Sequence, residues 1–189
     1  MDAIVTNGAS DAGDRTVGSQ TDERLMLEFQ RGSREAFDEL FARYRQPLYG
    51  FFRRRLSNPD RAQDLAQETF LAVIRATERY QPRALVRTYF YGIALKLLAS
   101  EQRKRTTSPL EAEPRITTEP DDSLWIQQAL ARLDEREREI LMLREYEQLS
   151  YDEIAALLHL PVNTVRSRLF RARAALKNHL EPVPNPHEA

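Results

Sequence analysis

Several residue types are scarce in this chain of 189 residues, which has no cysteine, three histidines and six glycines. The lack of cysteine excludes a disulfide framework, a thiolate nucleophile and a cysteine-based zinc or iron–sulfur site. Three isolated histidines do not make a metal cluster, so we expect neither a metal nor a cofactor. No apolar run approaches the roughly 20 residues that cross a bilayer, and the first twenty residues lack the blocks of a signal peptide. We therefore expect a cytoplasmic protein without membrane insertion.

The few glycines are also badly placed for binding nucleotide phosphates. They match neither GxGxxG nor GxxxxGK[ST], the two loops whose backbone approaches a phosphate, and they stand at Gly8, Gly13, Gly18, Gly32, Gly50 and Gly92. The lack of glycine from residue 93 to the end disfavours tight β-hairpins there and favours helices. Apolar residues recur with helical spacing in the rest of the chain, so we predict an all-α fold.

Charge divides the chain into segments that its formal net charge of −1 conceals. Residues 22–105 carry 17 basic and 11 acidic side chains, whereas residues 106–123 are acidic and rich in Thr, Ser and Pro. We predict two small helical domains joined by a flexible acidic linker, because each is long enough to hold its own core. The predicted division is a disordered segment 1–21, a first domain 22–105, a linker 106–121, a second domain 122–181 and a disordered tail 182–189.

Start and stop signals predict four helices in each domain. Asn58 before Pro59 is typical of a helix start, and Asp134 with Glu137 and Ser150 with Glu153 have the spacing of capping boxes. Pro47 is expected to kink the second helix. The predicted helices lie near 22–31, 34–56, 59–79 and 84–105, and near 123–132, 135–147, 151–158 and 162–180.

The last predicted helix has two distinct faces. At 100° per residue one apolar stripe must face a core, and it consists of Val165, Leu169, Ala172, Leu176 and Leu180. The opposite face carries Arg166, Ser167, Arg168, Phe170 and Arg171. With a short helix and a turn at His159 to Pro161 before it, this is the spacing of a helix-turn-helix that reads DNA. A basic run alone also fits a merely solvated face, but an exposed phenylalanine between arginines favours DNA.

The helix predicted near 59–79 also has an unusual outer face. A wheel over it buries Ala62, Leu65, Ala66, Thr69 and Val73, and turns outward Asp64, Gln67, Glu68, Leu71 and Arg75. An outward leucine among carboxylates and an amide is consistent with a protein-docking patch. A solvated acidic face with one stray leucine is an alternative, and paired catalytic carboxylates are a third, although no partner residues for catalysis are apparent.

Residues 149–176 resemble the promoter-binding domain of bacterial sigma factors of the extracytoplasmic-function group, in the sigma-70 family. Their sequence is LSYDEIAALLHLPVNTVRSRLFRARAAL. The resemblance implies a supporting helix at 150–158 and a recognition helix at 163–177 that reads the −35 element. His159 stands where such turns usually carry glycine. The residues implied in DNA contact are Asn163, Thr164, Arg166, Ser167, Arg168, Phe170 and Arg171.

Two segments of the first domain resemble the same family. DLAQETFLAV, residues 64–73, resembles the segment that grips RNA polymerase, which implies contacts by Asp64, Gln67, Glu68 and Leu71. Residues 80–105 resemble the loop and helix that capture the opened −10 element, through aromatic platforms and cations. The implied residues there are Tyr80, Arg83, Arg87, Tyr89, Tyr91 and Lys96.

Parts of the −10 segment depart from the family or have a second interpretation. Phe90 falls on an apolar stripe and is expected in the core, while Tyr89 and Tyr91 fit either the core or a base. Gln81, Leu95 and Lys96 stand where the family often has an aspartate and an arginine–asparagine pair.

The resemblance implies a sigma factor that binds core RNA polymerase and directs promoter-specific transcription initiation, with promoter recognition and DNA opening. It implies no enzymatic activity of its own, and its expected partners are core RNA polymerase, promoter DNA and an anti-sigma protein. A stand-alone helix-turn-helix transcriptional regulator is the alternative, but it leaves the patch around Glu68 without a role. An all-helical enzyme requires a cluster of titrating groups that the sequence does not show.

Overall fold

In the computed structural model, residues 20–82, 85–107 and 121–180 are described, without the side chains of 105–107 and 121–124. Every regular element in these ranges is helical, which confirms the predicted all-α class. The first domain contains α1 (Asp22–Gln30), α2 (Arg34–Arg53), α3 (Pro59–Ala76), a 3₁₀ turn (Thr77–Arg79) and α4 (Val86–Thr107). The second contains α5 (Asp121–Ala131), α6 (Glu135–Glu145), α7 (Tyr151–Leu158) and α8 (Val162–Leu180).

All three predicted N-cap residues cap their helices, and one of the two predicted capping boxes is complete. The Asn58 side chain accepts from the Arg61 amide at 3.0 Å, and Ser150 and Glu153 form a reciprocal capping box. Asp134 also caps its helix, accepting from the amides of Arg136 and Glu137. In the capping box expected there, the Glu137 carboxylate would accept from the backbone amide of Asp134. It accepts instead from Arg171 on α8.

Three turns between helices contain a residue with positive φ. Gly32 follows α1 with φ of 97°, and His159 ends α7 with φ of 54°. The histidine therefore takes the role for which glycine is usual, at a steric cost that non-glycine residues pay there. Gln148, in the turn before α7, has φ of 55° and was not anticipated. α2 continues as a helix through Pro47 to Arg53.

Aromatic rings fill the core of the first domain. Phe90 stacks on Tyr44 with ring centroids 4.4 Å apart and meets Phe70 edge-on. Its complete burial confirms the prediction that it packs in the core. The predicted inner stripe of α3 is likewise buried, and it comprises Ala62, Leu65, Ala66, Thr69 and Val73. Each large apolar side chain buried in this way stabilises the fold by about 1.5–3 kcal/mol.

The second domain is organised around the inner face of α8. Val165, Leu169 and Ala172 are buried as predicted, whereas Leu176 and Leu180 are half-buried towards the helix end. Val165, Leu169 and Ala172 share one core cluster with buried residues of α6 and α7, including Ile140, Leu143 and Ile154. This packing fixes the rotation of α8, so that its opposite face points outward.

The two domains contact each other directly. α7 packs on α4, where a Cβ added at Gly92 lies 3.6 Å from Leu157 of α7. The predicted disordered segments lie outside the described residues except for 20 and 21, and so does the linker between 108 and 120. α4 and α5 extend into the two ends of that predicted linker, at 107 and 121.

Candidate nucleic-acid and protein interfaces

The outer face of α8 combines cations with one exposed ring. Phe170 is 75% exposed, which makes it the most exposed large hydrophobic side chain among the described residues. Arg166 and Arg171 are exposed on either side of it, and Arg168 is half-buried. The structure thus brings the predicted −35 residues onto one surface, whose remaining members are Asn163, Thr164 and Ser167.

Two carboxylates of α6 reach this basic face. Arg171 donates to Glu137 at 2.7 Å, and Arg173 donates to Glu145 at the same distance. The pKa of Arg173 is raised, chiefly by its hydrogen bond to Glu145. Sequence reasoning missed both acids, because a wheel drawn over one helix does not show which neighbour faces it. Both arginines are at least half exposed, so these pairs are worth little in stability.

The outer face of α3 presents the residues predicted to bind polymerase. Leu71 is 49% exposed, the Asp64 side chain is 61% exposed, and Gln67 is exposed beside them. Exposed Ile74 extends the apolar part of this patch by one helical turn. The spacing of three residues after Leu71 was the available signal for Ile74.

Arg61 organises the acidic part of the α3 face. It donates to Glu101 of α4 at 2.8 and 2.9 Å and to Glu68 at 3.1 Å, and lies 3.7 Å from Asp64. The hydrogen bond to Glu101 is the main reason that the pKa of Arg61 is raised. Glu68 is therefore held in place by a cation that is itself tied to the next helix.

The residues predicted for the −10 element are spread over different environments. Tyr80 and Tyr91 are buried, Tyr89 and Arg87 are half-buried, and Lys96 is exposed, while Arg83 lies outside the described residues. Tyr80 packs against Tyr89 with ring centroids 5.3 Å apart. Neither buried ring is open to a base in this arrangement, so the aromatic platform expected from the sequence is not assembled on the surface.

Tyr91 is buried between Phe51 of its own domain and Glu147 of the second domain. Its hydroxyl donates to Glu147 at 3.1 Å, and burial, with Glu147 beside it, raises its pKa. Arg87, one turn earlier on α4, donates to the backbone carbonyl of Glu147. The packing of the two domains thus engages two of the predicted −10 residues at once.

A groove of about 820 Å³ lies between the domains. Its apolar walls include Leu56, Leu98, Met142 and Leu160, and arginines from both domains line it.

Over the described residues, no group of His, Cys, Asp and Glu side chains is arranged to hold a metal ion. In the same ranges no helix is long and apolar enough to span a membrane.

Comparison with known proteins gives this architecture a family. Residues 40–107 match the family model described as Sigma-70 region 2, and residues 123–176 match that of Sigma-70, region 4. The RNA polymerase sigma-H factor of Pseudomonas aeruginosa is 33% identical over 185 residues, covering 87% of this chain and 96% of that protein. The chain belongs to the sigma-70 family. The ECF RNA polymerase sigma-E factor of Escherichia coli K12 is 30% identical, with 86% of this chain and 96% of that protein covered.

A solved structure agrees with this placement of the sigma factor. CnrH, determined in complex with the cytosolic domain of CnrY, has a TM-score of 0.70 and 27% identity, covering 85% of this chain and 97% of CnrH. Regions 2 and 4 fall on the two helical domains, in that order along the chain. The sigma factor therefore binds RNA polymerase and directs transcription initiation, and a stand-alone regulator with region 4 alone is not favoured.

Proposed function

We propose that this sigma factor divides promoter recognition between its domains, with α8 in the major groove of the −35 element and α4 on the opened −10 element. The observation that carries the proposal is the exposed Phe170 between Arg166 and Arg171, on a helix whose opposite face is locked in a core. A major groove admits one α-helix, and arginine reads guanine while an apolar ring contacts a thymine methyl.

The outer face of α3 is the proposed contact with core polymerase. An exposed leucine beside an exposed isoleucine buries apolar area on docking, and the carboxylates of Asp64 and Glu68 add charge complementarity to a basic partner surface. Arg61 already holds the Glu68 side chain, so less side-chain conformational entropy is lost when Glu68 binds a partner.

The chemistry of RNA synthesis belongs, in this proposal, to the polymerase and not to the sigma factor. The sigma factor supplies recognition and holds the opened strand, at an unstacking cost of a few kcal/mol per base step. The proposed place of action is the cytoplasm, where bacterial RNA polymerase and its promoters are found.

An anti-sigma protein is a further proposed partner. CnrH was determined with the cytosolic domain of CnrY, and CnrH is similar to this chain over most of its length. The groove between the domains is the proposed docking place, because its leucines and Met142 match an apolar helix face and its rim arginines match acidic side chains. A partner seated there would hold the domains together.

Run-off transcription with purified core polymerase on a pool of random promoters tests the proposal. Transcripts that start downstream of one enriched pair of elements are the expected result, and sequencing them gives the recognised promoter. Transcription that is no greater than with core polymerase alone would refute the proposed function.

A further inference from the structure

Glu147 is a buried acid at the boundary between the domains. It lies in the turn after α6 and is 2% exposed, although it belongs to no apolar stripe. One carboxylate oxygen accepts from Arg54 at 2.8 Å and Arg55 at 3.3 Å, and the other accepts from Tyr91 at 3.1 Å. All three donors belong to the first domain, so an acid of one domain fills a site built by the other.

The first domain arranges this site through contacts of its own. Arg55 is buried, donates to the Phe51 carbonyl at 3.0 Å, and has its guanidinium 3.8 Å from the centre of the Phe51 ring. Arg54 folds back over Gly50, where an added Cβ would lie 2.9 Å from a guanidinium nitrogen. The Phe51 contacts of Arg55 lie within the first domain, so they hold this guanidinium in position when the domains separate. Arg54 also lies over the Tyr146 ring of the second domain, 4.8 Å from its centroid.

The site has more positive than negative charge. Arg54, Arg55 and Arg87 face the acids Glu147 and Glu139, the latter 3.1 Å from Arg55. Among the described residues, the Nε of Arg54 is the buried side-chain nitrogen or oxygen that lacks a hydrogen-bond partner. A planar guanidinium fork pairs with phosphate as well as with carboxylate, and a phosphate brings more acceptor oxygens.

The position of the site connects it to promoter DNA. Arg87 and Tyr91 lie on α4, among the residues proposed for the −10 element, and Leu157 of α7 covers Gly92 on the same helix. While the domains are packed together, this part of α4 is therefore turned away from solvent. A DNA strand that follows α4 would pass Arg54 and Arg55 at the end of α2.

We propose that Arg54, Arg55, Arg87 and Tyr91 form an anion site for a phosphodiester of opened promoter DNA, and that Glu147 occupies this site while the domains are packed. Glu147 and a phosphate use the same donors, so only one of them is bound at a time. Release of Glu147 then accompanies DNA binding, and the sigma factor by itself holds single-stranded DNA weakly. The inference rests on the proposed function, since it takes α4 as the −10 helix.

The first test is binding of a fluorescent single-stranded oligonucleotide to the full chain without polymerase. Glu147→Gln removes the competing charge, so the dissociation constant should fall by about 5-fold or more, within the usual range of coupling between two sites. Asp152→Asn is the matched control, because it removes one charge from the exposed start of α7. This control should stay within about 2-fold of the wild type.

A second substitution locates the bound DNA. Arg54→Gln added to Glu147→Gln should reverse the gain and lower the slope of log affinity against log salt by about one, as expected when one phosphate contact is lost. Unchanged affinity of a folded Glu147→Gln chain would overturn the proposal. A gain that Arg54→Gln does not reverse would also overturn it, because the DNA would then bind elsewhere.

A cross-link provides a test that leaves Glu147 intact. The chain has no cysteine, so Gly92→Cys with Leu157→Cys introduces its only two thiols, at positions in contact across the domains. A short bis-maleimide should trap the packed form and abolish oligonucleotide binding, while either single variant treated alike keeps it. Equal binding before and after cross-linking would refute the competition. Run-off activity of the wild type separates this outcome from failure of the proposed function.

Discussion

Arg171 of the recognition helix donates to Glu137 of α6 at 2.7 Å, so a side chain proposed to touch DNA is paired with an acid of its own domain. The pair fixes the direction of the guanidinium before DNA arrives. We expect the pair to compete with DNA, because one guanidinium cannot bind Glu137 and a DNA group with the same donors. Both the arginine and the acid are therefore predicted to influence promoter binding.

Glu137→Gln should strengthen promoter binding by the holoenzyme. The Arg171 side chain is 60% exposed, so the pair is worth about 0.2–1 kcal/mol, and binding should improve by no more than about 5-fold. Fluorescence anisotropy with labelled promoter DNA measures the effect. Glu135→Gln, in the same first turn, controls for the change in charge, and equal affinities of the two variants would contradict the competition.

Leu169→Ala is expected to lower stability, whereas the neighbouring substitution Phe170→Ala is expected to weaken DNA binding. Leu169 is 1% exposed, so its truncation should lower the free energy of unfolding by about 2–5 kcal/mol. Phe170 is on the surface, so its truncation should change stability by less than about 0.5 kcal/mol while weakening binding to the −35 element. Urea denaturation and promoter-binding titrations separate the two. Full promoter affinity in Phe170→Ala would remove that ring from the interface.

Arg166→Ala distinguishes base reading from phosphate contact. Loss of a bidentate contact to guanine should cost about 1–3 kcal/mol and relax the preference at one base pair. Loss of a phosphate contact should instead lower affinity evenly across promoters. Affinities for a set of single-base promoter variants give the answer, and unchanged transcription from the preferred promoter would contradict either role.

Replacing Asp64 and Glu68 by lysine should abolish binding to core polymerase. Both side chains are more than two-fifths exposed, so the helix should stay folded while the charge of the patch reverses. Co-purification with core enzyme measures binding, and circular dichroism checks the fold. Glu78→Lys, an exposed acid in the 3₁₀ turn, is the control for added positive charge. Retained co-purification of the double variant would refute the docking role of α3.

Alkaline pH should destabilise the sigma factor through two tyrosines. Burial raises the pKa of Tyr44 and of Tyr91, with Asp22 and Glu147 beside them as the next causes. Their stabilising contribution is complete below the unfolded pKa of about 10 and is lost as the pH rises above it. Urea denaturation at increasing pH should show this decline, and Tyr44→Phe should make it shallower. A decline of the same steepness in that variant would exclude Tyr44 as its source.

Patterns along one helix predicted most of the fold. The stripe of Val165, Leu169 and Ala172 required only helical periodicity, and every helix boundary fell within three residues of its prediction. The cap at Asn58 followed from local hydrogen bonding, since its donor lies three residues away. Such features depend on neighbours in sequence, which a single chain displays directly.

Contacts between distant segments were beyond this reasoning. Tyr91 and Glu147 are 56 residues apart, and neither residue carries a sequence signal for the other. The sequence left Tyr91 open between core and DNA, and the structure buries it in the core, against Phe51 and beside Glu147 of the second domain. The same holds for Glu137. Its spacing from Asp134 predicted a capping box, but its carboxylate pairs with Arg171, which is 34 residues away in sequence.

The contacts that hold the domains together fall on α6, α7 and the turn between them, whereas the proposed base-reading side chains project from α8. Substitutions at Arg166 or Phe170 can therefore change which promoter is chosen and leave the closed arrangement as it is. During evolution, such a sigma factor can acquire a new set of target genes while the packing between its domains stays the same.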